Sequence, residues 1–186
     1  MKNLVLITGG ARSGKSRFAE KIAKESEGKV VYIATAIPFD DQMKDRIKKH
    51  KTSRPREWVT IERYKDFKDL TINQVFLDSD LVLLDCITLM VSNLLMDSGL
   101  NFASCSMEKV GMLEKSIFEE IRDLLNLVEL HDKKLILVSN EVGMGLVPPF
   151  RMGNIFRDIS GRVNQHMARE AEEVYFMVSG IPMKVK

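Results

Sequence analysis

Hydrophobic residues recur along the chain in two rhythms. Near-continuous apolar runs at 4–8 (LVLIT), 29–35 (KVVYIAT), 81–85 (LVLLD), 134–139 (KLILVS) and 174–178 (VYFMV) read as strands covered on both faces. The WVTIE stretch at 58–62 alternates and reads as a shorter strand. Between these runs, apolar positions at three- and four-residue spacing predict helices over 17–23, 108–130 and 154–173. Residues 40–51 read as a further helix, acidic at its start (Asp40, Asp41) and basic at its end (Lys48, Lys49, Lys51), as the helix dipole favours, with Arg54-Pro55 stopping it. The segment 87–96 is apolar almost throughout, which suits a helix buried in the subunit or against a second one.

Three stretches lack a clear rhythm. Residues 64–76 read as mixed helix and loop, 97–106 (DSGLNFASCS) as an excursion or a mobile lid, and 140–149 as a loop at the carboxyl end of a strand. The alternation of strand and helix predicts an α/β fold, a mostly parallel sheet with helices on both faces in three layers. Ligands of such sheets bind beyond the carboxyl ends of the strands, where Thr35, Asp85, Asn140 and Glu141 fall.

Bulk properties narrow the picture only slightly. A chain of 186 residues, 45% hydrophobic, suits one core and a single domain over 1–186. Its net charge of +2 gives no reason to expect nucleic acid or an anionic membrane as a partner. Cys86 and Cys105 are too few for a disulfide framework and lack metal-ligand spacing with the three histidines. No apolar run approaches a membrane span, and a strand directly after Met1 leaves no room for a cleaved leader. A cytoplasmic protein without membrane insertion is expected.

The first strand leads into GGARSGKS, in which Gly9, Gly10, Ala11, Arg12, Ser13, Gly14, Lys15 and Ser16 fit the P-loop pattern. Bare backbone at the glycines lets successive amides face phosphate oxygens, and the helix that follows turns its positive end toward the anion. Lys15 adds a point charge for the β- and γ-phosphates, and Ser16 offers a hydroxyl to Mg²⁺. A Gly-rich turn that merely joins a strand to a helix is the plainer reading, but the motif sits where nucleotide binding requires it.

Two further residues carry candidate chemistry. Asp85 ends an apolar strand, where P-loop enzymes place the acid that holds Mg²⁺ directly or through water; it could equally cap the helix that follows. His50 lies in RIKKHKTSRP among Arg46, Lys48, Lys49, Lys51, Arg54 and Arg56. Those cations disfavour imidazolium and would draw in a polyphosphate, so a neutral imidazole could attack an α-phosphorus and form a phosphoramidate. From charge pattern alone, a solvated basic helix end explains the same residues. His131 reads as a surface residue at a helix end and His166 as structural. Phe118, Leu124, Leu125 and Val128 read as core, and Met90, Met96, Met107 and Met112 as gap-fillers.

Five segments together resemble one family. They are GGARSGKS with Arg17, YIATA at 32–36, DDQMKDRIKKHKTSRPREW at 40–58, LLDCITLMVSNLL at 83–95, and SNEVGMGLVPPFRMGNIFRDISGRVNQHMA at 139–168. The patterns RIxxHxxxRPxxW and NEVGxGxxP are far more specific than the P-loop, and the likeness to bifunctional adenosylcobinamide kinase / adenosylcobinamide-phosphate guanylyltransferase of cobalamin biosynthesis runs from the first strand to the last. The resemblance implies phosphorylation of adenosylcobinamide with ATP or GTP. It then implies transfer of GMP from GTP to that phosphate, through a histidine that matches His50.

Carried over position by position, it implies triphosphate binding by residues 9–16. It also implies guanine-nucleotide or metal contacts by Thr35, Ala36, Ile37, Thr52, Ser53, Arg54, Pro55, Glu62 and Asp85. Glu62 could accept from the N1–H and N2–H₂ of guanine, which adenine cannot match. The family forms homotrimers on a RecA-like P-loop core. The 98–107 segment matches nothing in it. Two other readings stay open: a P-loop small-molecule kinase with His50 a bystander, and a nucleotide-dependent switch using the loop around Gly143, Met144 and Gly145.

Overall fold

The strands form one seven-stranded sheet: β1 Leu4–Gly9, β2 Val30–Ala34, β3 Val59–Glu62, β4 Leu81–Asp85, β5 Lys134–Val138, β6 Glu173–Val178 and β7 Ile181–Lys184, in the order β3-β2-β4-β5-β1-β6-β7. This computed structural model describes residues 1–38 and 41–186, with the side chains of 42, 46, 49 and 53 also outside the description. The sequence-based start of the second helix at residue 40 and the expected contact by Ser53 therefore lie outside the described residues. Strands β1 to β6 are parallel and β7 runs antiparallel to β6. β5 separates the strand that leads into the P-loop from the strand that ends in Asp85.

The helices are α1 Lys15–Glu25, α2 Asp41–Ser53, α3 Gln74–Leu77, α4 Ile87–Asp97, α5 Met107–Leu130 and α6 Arg151–Glu170, with a 3₁₀ segment over Phe67–Ile72. Period-two alternation divides each buried strand between two cores. Leu4, Leu6, Val31, Ile33, Val82, Leu84, Leu135 and Leu137 face α4, α5 and α6. Val5, Ile7, Val30, Tyr32, Leu81, Leu83, Ile136 and Val138 face α1 through Ala19 and Ala23. Both faces of a parallel sheet must be covered, which is why its strands read as continuous apolar runs rather than alternating ones.

β7 goes beyond the sequence reading. Val178 pairs with Ile181 around Ser179-Gly180, whose φ values of 50° and 88° make the turn a type I′ hairpin. The Ser-Gly pair was its available signal, and Pro182 is tolerated because β7 is an edge strand. α6 begins three residues before the expected 154 and stops at Glu170, releasing Glu173 into β6.

α4 is internal to the chain: Ile87, Met90, Val91 and Leu95 are all buried in the larger core. Met90 is the gap-filler expected, but Met96, Met107 and Met112 are 58%, 65% and 65% exposed. Met96 lies near the end of α4, Met107 opens α5, and Met112 points away from the stripe formed by Val110, Ile117 and Ile121. Leu124, Leu125 and Val128 are core, while Phe118 is half-buried and meets the His166 ring edge-on at 5.5 Å. His131 caps the end of α5, exposed as expected, with its ring edge toward Phe76.

The 98–106 stretch is a packed excursion. Phe102 is buried, and Arg151 at the start of α6 donates to the carbonyls of Phe102 (2.7 Å) and Cys105 (2.8 Å).

Candidate functional site: a P-loop cavity roofed by a basic helix

The P-loop joins β1 to α1, but its glycines serve different ends. Gly9 has φ +147°, and a Cβ there would sit 2.6 Å from the Met177 carbonyl oxygen, so close packing against β6 excludes a side chain. Gly14 has φ +94° and precedes α1 in the left-handed conformation, without any side chain capping the helix. The start of α1, uncapped by a side chain at Gly14, is the local basis of an anion site. Lys15 opens α1, and its Nζ donates to the Gly10 carbonyl at 2.6 Å.

The carboxyl edge of the sheet supplies the floor. Tyr32 on β2 donates its phenol proton to Asp85 Oδ2 at the end of β4, at 2.9 Å. Thr35 is buried: its hydroxyl donates to the Cys86 carbonyl and accepts from the Cys86 amide, both at 2.8 Å. Asn93 donates to the Thr35 carbonyl, and Asn140 donates to Thr88 Oγ1 from both its amide and its side chain. Asn164 on α6 donates to the Asn140 carbonyl and accepts from Ser139. This hydrogen-bonded network fixes the edge from which Asp85 projects, although Asn93 Oδ1 is buried without a partner.

α2 supplies the roof. Met43, Ile47, His50 and Arg54 recur at helical spacing at the same cavity, beside Lys44, Lys48 and Lys51. The cavity between them has a volume of about 920 Å³. It brings together Ala11, Arg12, Ser13, Gly14, Lys15, Ser16, Ala36, His50, Arg54, Glu62 and Asp85 from the sequence-predicted set. Gly9 lies beneath the loop, Gly10 borders a smaller neighbouring cavity, and Thr35, Ile37, Thr52 and Pro55 do not line the main one.

Sequence reasoning missed Tyr32, Leu89, Ser92 and Phe156, which also line the main cavity. Ser92, a polar residue three positions after Leu89 in an apolar helix, was a usable signal; Phe156 offered none. Cys86 lines it too, and burial, with the Asp85 charge second, pushes its thiol up to about 11. Cys105 is only partly buried. At pH 8 a native sample is expected to lose one thiol quickly to an alkylating reagent, at Cys105. Cys86 should react only after unfolding, because thiolate is the reactive form. Peptide mapping of the alkylated protein reads this, and rapid labelling of both thiols would contradict it.

The electrostatics favour a polyanion. Arg12, Lys15, Arg17, Lys44, Lys48, Lys51 and Arg54 outnumber Glu62, Asp85 and Glu141 around the cavity. Among the described residues, Ser13 Oγ and Arg54 Nε are buried without a hydrogen-bond partner. Both can donate, and phosphate oxygens would complete them. Ser16 and Asp85 present hard oxygen donors to the same space. No group of three or more His, Cys, Asp or Glu among the described residues is placed to hold a metal alone. The donor set therefore fits a cation completed by substrate phosphates and water, as Mg²⁺ prefers.

Fold and cavity together define a P-loop nucleotide-binding α/β protein with a basic, histidine-bearing helix over the phosphate site. The chain belongs to the cobinamide kinase / cobinamide phosphate guanyltransferase family, whose model matches residues 5–185. It is 45% identical over 183 residues to the bifunctional adenosylcobalamin biosynthesis protein CobU of Escherichia coli K12, covering 98% of this chain and 99% of that one. The CobU of Salmonella typhimurium LT2 is 44% identical over the same span. CobP of Pseudomonas aeruginosa, likewise described as a bifunctional adenosylcobalamin biosynthesis protein, is 36% identical over 97% of this chain and 96% of its own length.

Proposed function

We propose that the protein phosphorylates adenosylcobinamide with ATP or GTP. It then transfers GMP from GTP to the resulting phosphate, with His50 as covalent carrier, giving adenosylcobinamide-GDP and pyrophosphate. The observation that carries this reading is that the P-loop and the His50-bearing helix line one cavity. Phosphoryl transfer needs a cradled triphosphate and a positioned hydroxyl. GMP transfer adds a nucleophile opposite the leaving pyrophosphate.

In the second reaction an imidazole nitrogen of His50 attacks the α-phosphorus of GTP. The bond from that phosphorus to the α–β bridging oxygen breaks, and pyrophosphate departs. A phosphate oxygen of phosphorylated cobinamide then attacks the same phosphorus; the P–N bond breaks and neutral imidazole returns. Lys15 and the amides at the start of α1 hold the β- and γ-phosphates in both reactions, and the cationic face of α2 draws the nucleotide in. Ser16 and Asp85, with phosphate oxygens, would hold Mg²⁺, which would neutralise charge on the departing group. Glu62, at the end of β3, is the guanine-edge acceptor in this reading; Lys51 lies 3.8 Å from it.

Ala36, Arg54 and the backbone around Thr35, Ile37, Thr52, Ser53 and Pro55 complete the nucleotide site. The 186 residues act as one domain, in a cytoplasmic homotrimer. Exposed Leu146, Val147 and Phe150, together with Ile181 and Met183 on β7, support an interface between copies. No described helix is long and apolar enough to cross a membrane.

Sequential addition tests the proposal. Adenosylcobinamide with ATP should yield the phosphate ester. Adding GTP should then release pyrophosphate in proportion to the ester present. A protein that stops at the ester with GTP in excess is a kinase alone.

A further inference from the structure

Tyr32 is a large polar-tipped side chain on β2, one strand in from the sheet edge, only 2% exposed, and sequence alone gave it no role. Its position follows from register. Tyr32 stands opposite Thr60 of β3, while Ala34, two residues on and on the same face, stands opposite Asp85 of β4. Thr60, Tyr32 and Asp85 therefore share one face of the sheet, the face that receives α1. The phenol donates to Asp85 Oδ2 at 2.9 Å. Over the ring lies the guanidinium of Arg54, its Cζ 3.3 Å from the centroid, with one terminal nitrogen donating to Thr60 Oγ1 at 3.3 Å. Arg54 follows α2 directly, four residues after His50.

We propose that Tyr32 is a positioning residue that couples the metal-binding carboxylate to the helix carrying the nucleophile. Its O–H occupies one oxygen of Asp85 and fixes the carboxylate rotamer, leaving the other oxygen for Mg²⁺ or a water on it. Its ring face seats Arg54 and so fixes the end of α2. A phenylalanine would fill the same volume and keep the cation–π contact, so the hydroxyl and the ring carry separable duties. The coupling rests on the reading of His50 as GMP carrier; the Asp85 half stands without it.

The test uses full-length protein and three readouts. The first is the Mg²⁺ dependence of GTP binding, measured by titration. The second is the emission of Trp58, the one tryptophan, which is partly buried against the α1-side core just beyond Arg54. The third is the rate of GMP adduct formation. Tyr32→Phe should shift the Mg²⁺ concentration for half-maximal GTP binding about tenfold upward, the scale of losing a partner behind a metal ligand, while excess Mg²⁺ restores binding. Trp58 emission should keep its native maximum. Tyr32→Leu should show the same Mg²⁺ shift, move Trp58 emission, and slow adduct formation at least about fivefold even in excess Mg²⁺.

Where the leucine variant fails to fold, Tyr32→Met replaces it, since its flexible chain fills irregular space. An unshifted Mg²⁺ requirement in Tyr32→Phe overturns the Asp85 role. A leucine or methionine variant indistinguishable from phenylalanine in emission and adduct rate overturns the coupling. Absence of any adduct in the wild-type protein rejects the His50 reading and the coupling with it, while the Mg²⁺ titration still decides the Asp85 half.

Discussion

His50→Ala is expected to stop GMP transfer while leaving phosphorylation of cobinamide within about tenfold of the parent. Loss of a covalent nucleophile removes a route rather than a contact, and the fall in guanylyl transfer should be on the order of 10⁴-fold or more. The γ-phosphoryl transfer needs the P-loop, the cation and the acceptor hydroxyl, none of which His50 provides. His50→Asn, similar in size and polar but without a nucleophilic nitrogen lone pair, should not rescue. Separate assays of the two reactions, one following the ester and one following pyrophosphate, check the split. Equal losses in both would mean that His50 acts by shaping the site for nucleotide generally.

Lys15→Met is expected to lower both reactions together, by on the order of 10²–10³-fold, because the ammonium holds phosphates that are common to both transition states. Arginine should not replace it: the planar fork cannot serve as a compact point charge in the space where Lys15 Nζ meets the Gly10 carbonyl at 2.6 Å. Lys15 is buried at 7% exposure, so the methionine variant exchanges a desolvated charge for an apolar chain of similar length. Its melting temperature should not fall, which separates lost catalysis from lost structure. Single-turnover rates for each reaction, with a thermal melt beside them, read the effect. Loss of one reaction alone would show that the two use different phosphate cradles.

Much of the architecture was legible because a doubly covered parallel sheet writes itself as apolar runs. Residues 4–8, 81–85 and 134–139 could hardly pack otherwise, and the GGARSGKS turn marks where the edge becomes a site. The expectation of helices on both faces met the division of Val5 and Ile7 from Leu4 and Leu6 between two cores. β7 escaped because IPMK is an exposed edge strand, stabilised by a Ser-Gly hairpin rather than by a buried face. Met96, Met107 and Met112 misled because a flexible apolar side chain carries no mark of the helix face on which it lies.

The site was readable in its charged parts and opaque in its supports. Lys15, His50, Arg54, Glu62 and Asp85 meet at one cavity although they come from α1, α2, the turn after α2, β3 and β4. Tyr32 did not declare itself because a tyrosine inside VVYIA is ordinary strand composition. Only the register with Thr60 and Asp85 shows what its hydroxyl and ring touch. Thr35 shows the converse: a residue named for ligand contact sits under the edge, with its hydroxyl committed to Cys86.

Intact-protein mass after incubation with GTP and Mg²⁺, beside His50→Ala and repeated after brief acid, tests the covalent route most directly. A gain the size of GMP on the parent, absent from the variant and lost in acid as a phosphoramidate should be, is the expected result. An unmodified parent under conditions where GTP binding is demonstrated would contradict His50 as the carrier and leave the protein a kinase.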